Sequence, residues 1–228
     1  MTKAMSKLDG VKEVFYPRAV VNAFVVEADV PTLIDTGTPG GAKRLLAAAR
    51  AAGHEPQSIG RILLTHRHAD HASNAAELAE ATGAEVHVSP VDAPWVTQGI
   101  EQSKPKVATL LGRVLVPYVA VALPWKLRPV AAQTDLVEGA RVGPFRVLET
   151  PGHTAGHVSL LWEERGILFT GDAAAHLTTI GPHPASDDPT TATASFERLA
   201  GETFEAACFG HGRAIASGAA QAFRAAAS

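Results

Sequence analysis

With 228 residues, 46 % of them apolar and 19 % charged, the chain has the make-up of a globular domain with one large core. A net charge of −3 and the lack of any basic run of five or more give no electrostatic basis for nucleic-acid or anionic-membrane binding. The single cysteine, Cys208, excludes an internal disulfide, and the opening MTKAMSKLDGVKEV has no apolar signal core; both fit the cytoplasm.

Val11 to Tyr16 and Val20 to Val26, rich in Val and Phe, read as strands. PTLID (31–35) is a third, stopped by Thr36-Gly37. Pro39-Gly40-Gly41 opens a helix to about Ala52, with Leu45, Leu46 and Ala49 on one face and Gly53 closing it. Arg61 to Thr65 is a buried strand, Asn74 to Thr82 a helix stopped by Gly83, and Glu85 to Ser89 a further strand. This alternation predicts a mixed α/β architecture with short crossovers.

Residues 103–133 break the rhythm. VATLLGRVLVPYVAVALPW is strongly apolar, yet Arg113, Pro117 and Pro124 count against a membrane span. The stretch reads as an apolar helical insertion in a single domain of residues 1–228, packed on the core or lining an apolar substrate pocket. It could also join two copies in a homodimer. Arg146 to Glu149 is then a strand, and Val158 to Trp162 with Ile167 to Thr170 a hairpin around Glu164-Arg165-Gly166. A helix from about Thr191 to Leu199, a strand Ala206 to Phe209 and an Ala-rich helix to about Ala226 complete the chain. No fixed-period repeat relates the halves.

ILLTHRHADHAS (62–73) places His66, His68, Asp70 and His71 directly after an apolar run. Neutral imidazole and carboxylate are ligands for borderline metals such as Zn²⁺. An extended segment projects His66 and His68 to one side. Four ligands this close cannot easily share one tetrahedral ion, but they could serve two adjacent ones. ETPGHTAGH (149–157), ILFTGDAAAH (167–176) and CFGHGRA (208–214) add His153, Asp172 and His211, each in a glycine-freed loop after a strand. Strand ends along one sheet edge are where α/β proteins build sites. The set of five histidines and two aspartates suffices for two metals with water completing the shells.

HRHADH resembles the HxHxDH signature of the metallo-β-lactamase-fold superfamily, and LIDTG (33–37), TPGHTAGH, FTGDA and FGHG resemble its other motifs in the right order. The resemblance implies a four-layer αββα sandwich with two metals at one edge, two Zn²⁺ or else Fe or Mn. It implies His66, His68 and His153 on the first metal, Asp70, His71 and His211 on the second, and Asp172 bridging. Asp35 would orient a ligand histidine from behind. One departure stands at Ala72-Ser73-Asn74, where many members carry Gly-Gly near the substrate path.

Asp172 is typically missing from the β-lactamases of the family, so the pattern leans toward glyoxalase II-like and lactonase-like members. The expected activity is hydrolysis of a small-molecule ester, lactone or thioester by a metal-bound hydroxide, with Asp70 orienting the nucleophile. Alternatives are a mononuclear-iron persulfide dioxygenase-like oxidoreductase, a phosphodiesterase or ribonuclease, and a metal-binding regulator without catalysis. The acidity of the chain argues against tight RNA binding, so a small-molecule substrate and no nucleic-acid partner are expected.

Of the other histidines, His157 reads as a hydrogen-bonding residue behind the site, His87 as structural and His54 as solvated. His176 and His183 follow the bridging aspartate and are candidate pocket residues. Cys208 reads as a buried strand thiol, and Asp187-Asp188 as charge at a helix N-terminus.

Overall fold

The computed structural model describes residues 8–17, 19–100 and 127–228. Two five-stranded sheets face each other, in the orders β1-β2-β3-β4-β5 and β12-β9-β8-β7-β6. The first holds β1 (Val11–Tyr16), β2 (Val21–Val26), β3 (Thr32–Ile34), β4 (Arg61–Leu63) and β5 (Glu85–His87). The second holds β6 (Arg141–Val142), β7 (Phe145–Glu149), β8 (Val158–Trp162), β9 (Ile167–Phe169) and β12 (Ala206–Cys208). A small hairpin, β10 (Ala175–His176) with β11 (Ile180–Gly181), lies apart from both sheets.

Period-2 alternation sorts each strand between two cores. On one face Phe24, Val26, Ile34 and Leu63 meet Phe145, Val147, Leu160, Trp162 and Phe169 between the sheets. On the other face of the first sheet, Val25, Leu33, Ile62 and Val86 take up the apolar sides of α1 (Ala42–Ala51), α3 (Ala75–Thr82) and α4 (Ala93–Thr97). Leu148, Leu161 and Leu168 do the same for α5 (Pro189–Ala200) and α6 (Ala219–Ala227), with Phe223 stacked on Phe196 and Phe209. Three apolar layers therefore hold four structural layers, the αββα sandwich.

β3, β4 and β5 are parallel, in register Leu33↔Ile62↔Val86. β7, β8 and β9 form an antiparallel meander, and β12 returns parallel to β9 after α5. In consequence β3, β4, β7, β9 and β12 all end at one edge. Thr65, Ser89, Thr170 and Phe209, expected as strand residues, lie just past the strand ends. Thr65 N donates to the Asp35 carboxylate at 2.8 Å rather than to a ladder carbonyl.

The expected helical insertion falls mostly on residues 101–126, outside the described ones. Its last seven residues, 127–133, are not helical and make only an isolated bridge, from Gln133 to His87. Pro129 disfavours helical backbone at Arg128, and Val130 N and Gln133 N donate to Val96 O and Val86 O at 3.1 and 2.8 Å. No helix among the described residues is long and apolar enough to cross a membrane.

Candidate metal centre

The loops leaving that edge converge. After β4 the chain bends at Thr65 and Arg67, is extended at His68, then turns once as α2 (Ala69–Ala72), which carries Asp70 and His71. His153 follows β7, Asp172 follows β9 and His211 follows β12. His68 Nδ1 lies 2.9 Å from His153 Nε2. Asp172 Oδ2 lies 3.3 Å from His153 Nε2 and 3.2 Å from His211 Nε2, and its Oδ1 3.5 Å from His71 Nε2. Asp70 Oδ2 stands 3.5 Å from His211 Nε2 and 3.9 Å from His71 Nε2.

Three groups of ligand atoms, each within 4.8 Å of one another, fall out of this packing: His66-His68-His153, His66-His71-Asp172 and Asp70-His71-His211. A fourth is His153-Asp172-His183. The structure thus brings together all seven residues that the motifs singled out.

The outward nitrogens show how the inward ones are aimed. His71 Nδ1 is 2.8 Å from Asp35 Oδ2, and His211 Nδ1 is 3.0 Å from Val20 O. Donation there leaves Nε2 of each ring as a lone pair facing the cluster. His66 Nδ1 meets the Thr65 hydroxyl at 3.0 Å, and that hydroxyl also reaches Asp35 at 2.9 Å. His157 Nε2 accepts from Asp172 N at 2.8 Å, so its Nδ1–H points to Thr150 Oγ1, also at 2.8 Å. His157 therefore fixes the backbone of Asp172.

Asp35 adopts φ +56°, a left-handed conformation that Asp tolerates better than most residues. Gly210 has to be glycine. A Cβ there would lie 2.9 Å from His71 Cε1 and closer still to Asp172 Oδ1.

The residues fit a bound cation. His66 Nε2, His71 Nε2 and Asp172 Oδ1 are buried without a hydrogen-bond partner among the described residues. Buried polar atoms are ordinarily paired, and three that face one cluster of donors mark where an electrophile belongs. His153 Nδ1, on the other side of its ring, is buried and unpartnered too.

Charge follows the same geometry. Burial pushes His66 well below the ordinary imidazole range, helped by His71 and His153, and burial likewise lowers His68 and His153. Burial would also lower His71 and His211, but the carboxylates overcome it. Asp172, Asp35 and Asp70 hold His71 well above its usual value, and Asp172 and Asp70 lift His211 to about 10. Burial would raise Asp70 and Asp172, but the adjacent imidazoles hold both low. The carboxylates thus call for positive charge at the Nε2 atoms of His71 and His211, which is the place a bound cation would take.

The two candidate pocket histidines part company. His183 Nε2 comes to 3.8 Å from Asp172 Oδ2, its ring 4.8 Å from that of His153. His176 turns Nδ1 to Arg213 O at 2.7 Å and joins none of the ligand groups. His87 pairs with Asp135 at 3.0 Å, and Cys208 is a buried strand thiol whose pKa burial raises. Asp188 caps α5 through Thr190 N and Thr191 N, whereas Asp187 pairs with Arg67 at 2.7 Å. Thr65, Arg67 and Asp92 are site-supporting residues that sequence reasoning missed. Thr65 adjoins His66 and could have been noticed, but Asp92 carries no local signal.

Residues 16–211 match the metallo-beta-lactamase superfamily, and the chain belongs to it. A di-iron-bound form of TTHA1623 superposes with a TM-score of 0.65 at 32 % identity, over 90 % of this chain and 94 % of that one. The uncharacterized protein YobT of Bacillus subtilis is 33 % identical over 70 % of this chain and 64 % of its own length. A hydroxyacylglutathione hydrolase of Halorhodospira halophila is 34 % identical over 50 % of this chain, and the match spans only 32 % of that hydrolase.

Proposed function

We propose that the chain is a dinuclear-metal hydrolase of a small-molecule ester, lactone or thioester. His66, His68 and His153 would hold one cation, Asp70, His71 and His211 the other, and Asp172 both. One observation carries the reading: three unpartnered buried atoms, on His66, His71 and Asp172, within a convergent set of imidazoles and carboxylates. Two cations bound there would acidify a shared water and polarise the scissile carbonyl.

The chain's own residues do the positioning. Asp35 and Val20 O hold His71 and His211 in the tautomer that presents Nε2. Asp70, kept ionised by its imidazole neighbours, accepts a hydrogen bond from the attacking water and fixes its line of approach. His183, whose pKa burial lowers, brings Nε2 to 3.8 Å from Asp172 Oδ2 and would contact substrate from there.

Zinc is the proposed cation, with iron as the second reading because the TTHA1623 neighbour was solved with two irons. The similarity to hydroxyacylglutathione hydrolases favours a thioester among the three substrate classes. Residues 1–228 are taken as one domain, since both sheets share a single central core. A cytoplasmic location is part of the proposal and rests on the single cysteine.

The test joins metal analysis to a proton-release assay at pH 8, using an ester, short and long lactones, a glutathione thioester and a β-lactam. Two zincs per chain and acid release that vanishes in Asp172→Ala are expected. One iron per chain with oxygen uptake on a persulfide would replace the hydrolase by the oxidoreductase. Silence across the panel from metal-replete protein would move the search to phosphodiesters.

A further inference from the structure

The three histidines of the first group come from opposite sheets, His66 and His68 after β4 and His153 after β7. One buried carboxylate spans that junction. Asp92 is 0 % exposed and sits at the N-cap of α4, where Asp ordinarily caps its own helix. Its side chain makes no cap bond. Oδ2 accepts from Arg67 N at 3.0 Å and from Thr154 Oγ1 at 2.7 Å. Oδ1 accepts from Arg67 Nη1 at 2.8 Å and from Gly156 N at 3.2 Å.

Arg67 lies between His66 and His68, and Thr154 directly follows His153. The guanidinium closes a second tie. Its Nη2 reaches Asp187 Oδ2 at 2.7 Å, and Asp187 N donates to His153 O at 3.1 Å. The indole of Trp95 lies 4.5 Å from the guanidinium carbon. A Cβ on Gly156 would come within 2.7 Å of Asp92 Oδ1, so that approach needs glycine.

We propose that Asp92 is a positioning residue that sets the His66-His68-His153 group across the two sheets, and this rests on the dinuclear-metal reading. All four groups on the carboxylate are donors. Asparagine offers one acceptor oxygen and turns an NH2 toward two of those donors, so Asp92→Asn disrupts the tie at almost constant volume. Thr154→Val removes a single donated bond. The pair separates positioning from folding.

The experiment is a cobalt titration of the full chain, followed by visible d–d absorption and by paramagnetically shifted imidazole N–H resonances. Wild-type protein is expected to take up two cobalt ions. Asp92→Asn is expected to weaken the three-histidine position by about tenfold to a hundredfold, the usual range for groups that orient metal ligands, with the Asp70-His71-His211 position unchanged. Thr154→Val should shift the same position by less, and it carries the test if Asp92→Asn does not fold. Two cobalts bound with wild-type affinity and spectrum in the variants would overturn the inference alone, as would equal weakening at both positions. Wild-type protein that binds no cobalt would overturn the metal reading and this inference with it.

Discussion

Asn74 closes the Ala72-Ser73-Asn74 stretch that departs from the expected Gly-Gly pattern, and its buried side chain does work that glycine cannot. Nδ2 donates to the carbonyls of Thr36, Gly37 and Thr38 at 2.7, 3.1 and 2.8 Å, while Oδ1 accepts from Gly41 N at 3.1 Å. The pinned loop runs from Asp35, and Thr36 N and Oγ1 both donate to His71 O at 2.6 Å. Asn74→Ala would unfasten the loop that aims His71. Two N–H protons are shared by three carbonyls, so the loss is two donated bonds and one accepted. At about 1 kcal/mol net for each, the expected cost is about 3 kcal/mol. Thr38 O and Gly41 N keep each other at 2.9 Å, which limits the penalty for orphaned groups. For a chain of this size the loss corresponds to a fall in Tm of roughly 6–12 °C. Urea unfolding of the chelated protein reads the cost directly, and Asn74→Asp, which aims a carboxylate at three carbonyls, should cost more. A loss below about 1 kcal/mol for Asn74→Ala would refute the claim that this side chain holds the loop.

Asp35→Asn leaves one acceptor where Thr65 N and His71 Nδ1 use two oxygens. The cation on His71 should bind about tenfold to a hundredfold more weakly, measured by competition with a chromophoric chelator. Gly210→Ala places a methyl group against Asp172 and His71. Metal content per chain, read by atomic emission, should fall below one while the apo fold keeps its circular dichroism. His183→Phe keeps the ring and removes Nε2, so two metals should remain. kcat/KM should drop by about tenfold, one hydrogen bond's worth of about 1.4 kcal/mol; loss of a metal instead would make His183 a ligand.

The seven motif residues were legible because each follows an apolar strand, and the parallel course of those strands brings their ends to one edge. His157 was legible as a supporting residue from the same loop. His176 and His183 were indistinguishable along the chain. The β10–β11 hairpin separates them, reversing the chain so that one turns to Arg213 O and the other to Asp172. Helix positions followed from stop signals such as Gly83, which takes φ +77° after α3. The single turn of α2 did not, because four residues are too few for a period to show.

What stayed hidden is how the loops are held to one another. Asp35, Asn74 and Asp92 each join segments 25 or more residues apart, and separations of that order leave no local pattern. All three are also residue types that caps and turns favour, so the bland reading competes at every position. Asp92 and Asp188 show the ambiguity most clearly. Both occupy the N-cap of a helix with proline in its first turn. Asp188, with Thr190 and Thr191 at the surface, caps its helix through their backbone amides. Asp92 is 0 % exposed, and its carboxylate lies among four donors from two other loops. A carboxylate shut away from water is stable only where such donors surround it. The fold therefore decides between cap and clamp, and it does so through burial, a quantity that neither residue's neighbours in the chain encode.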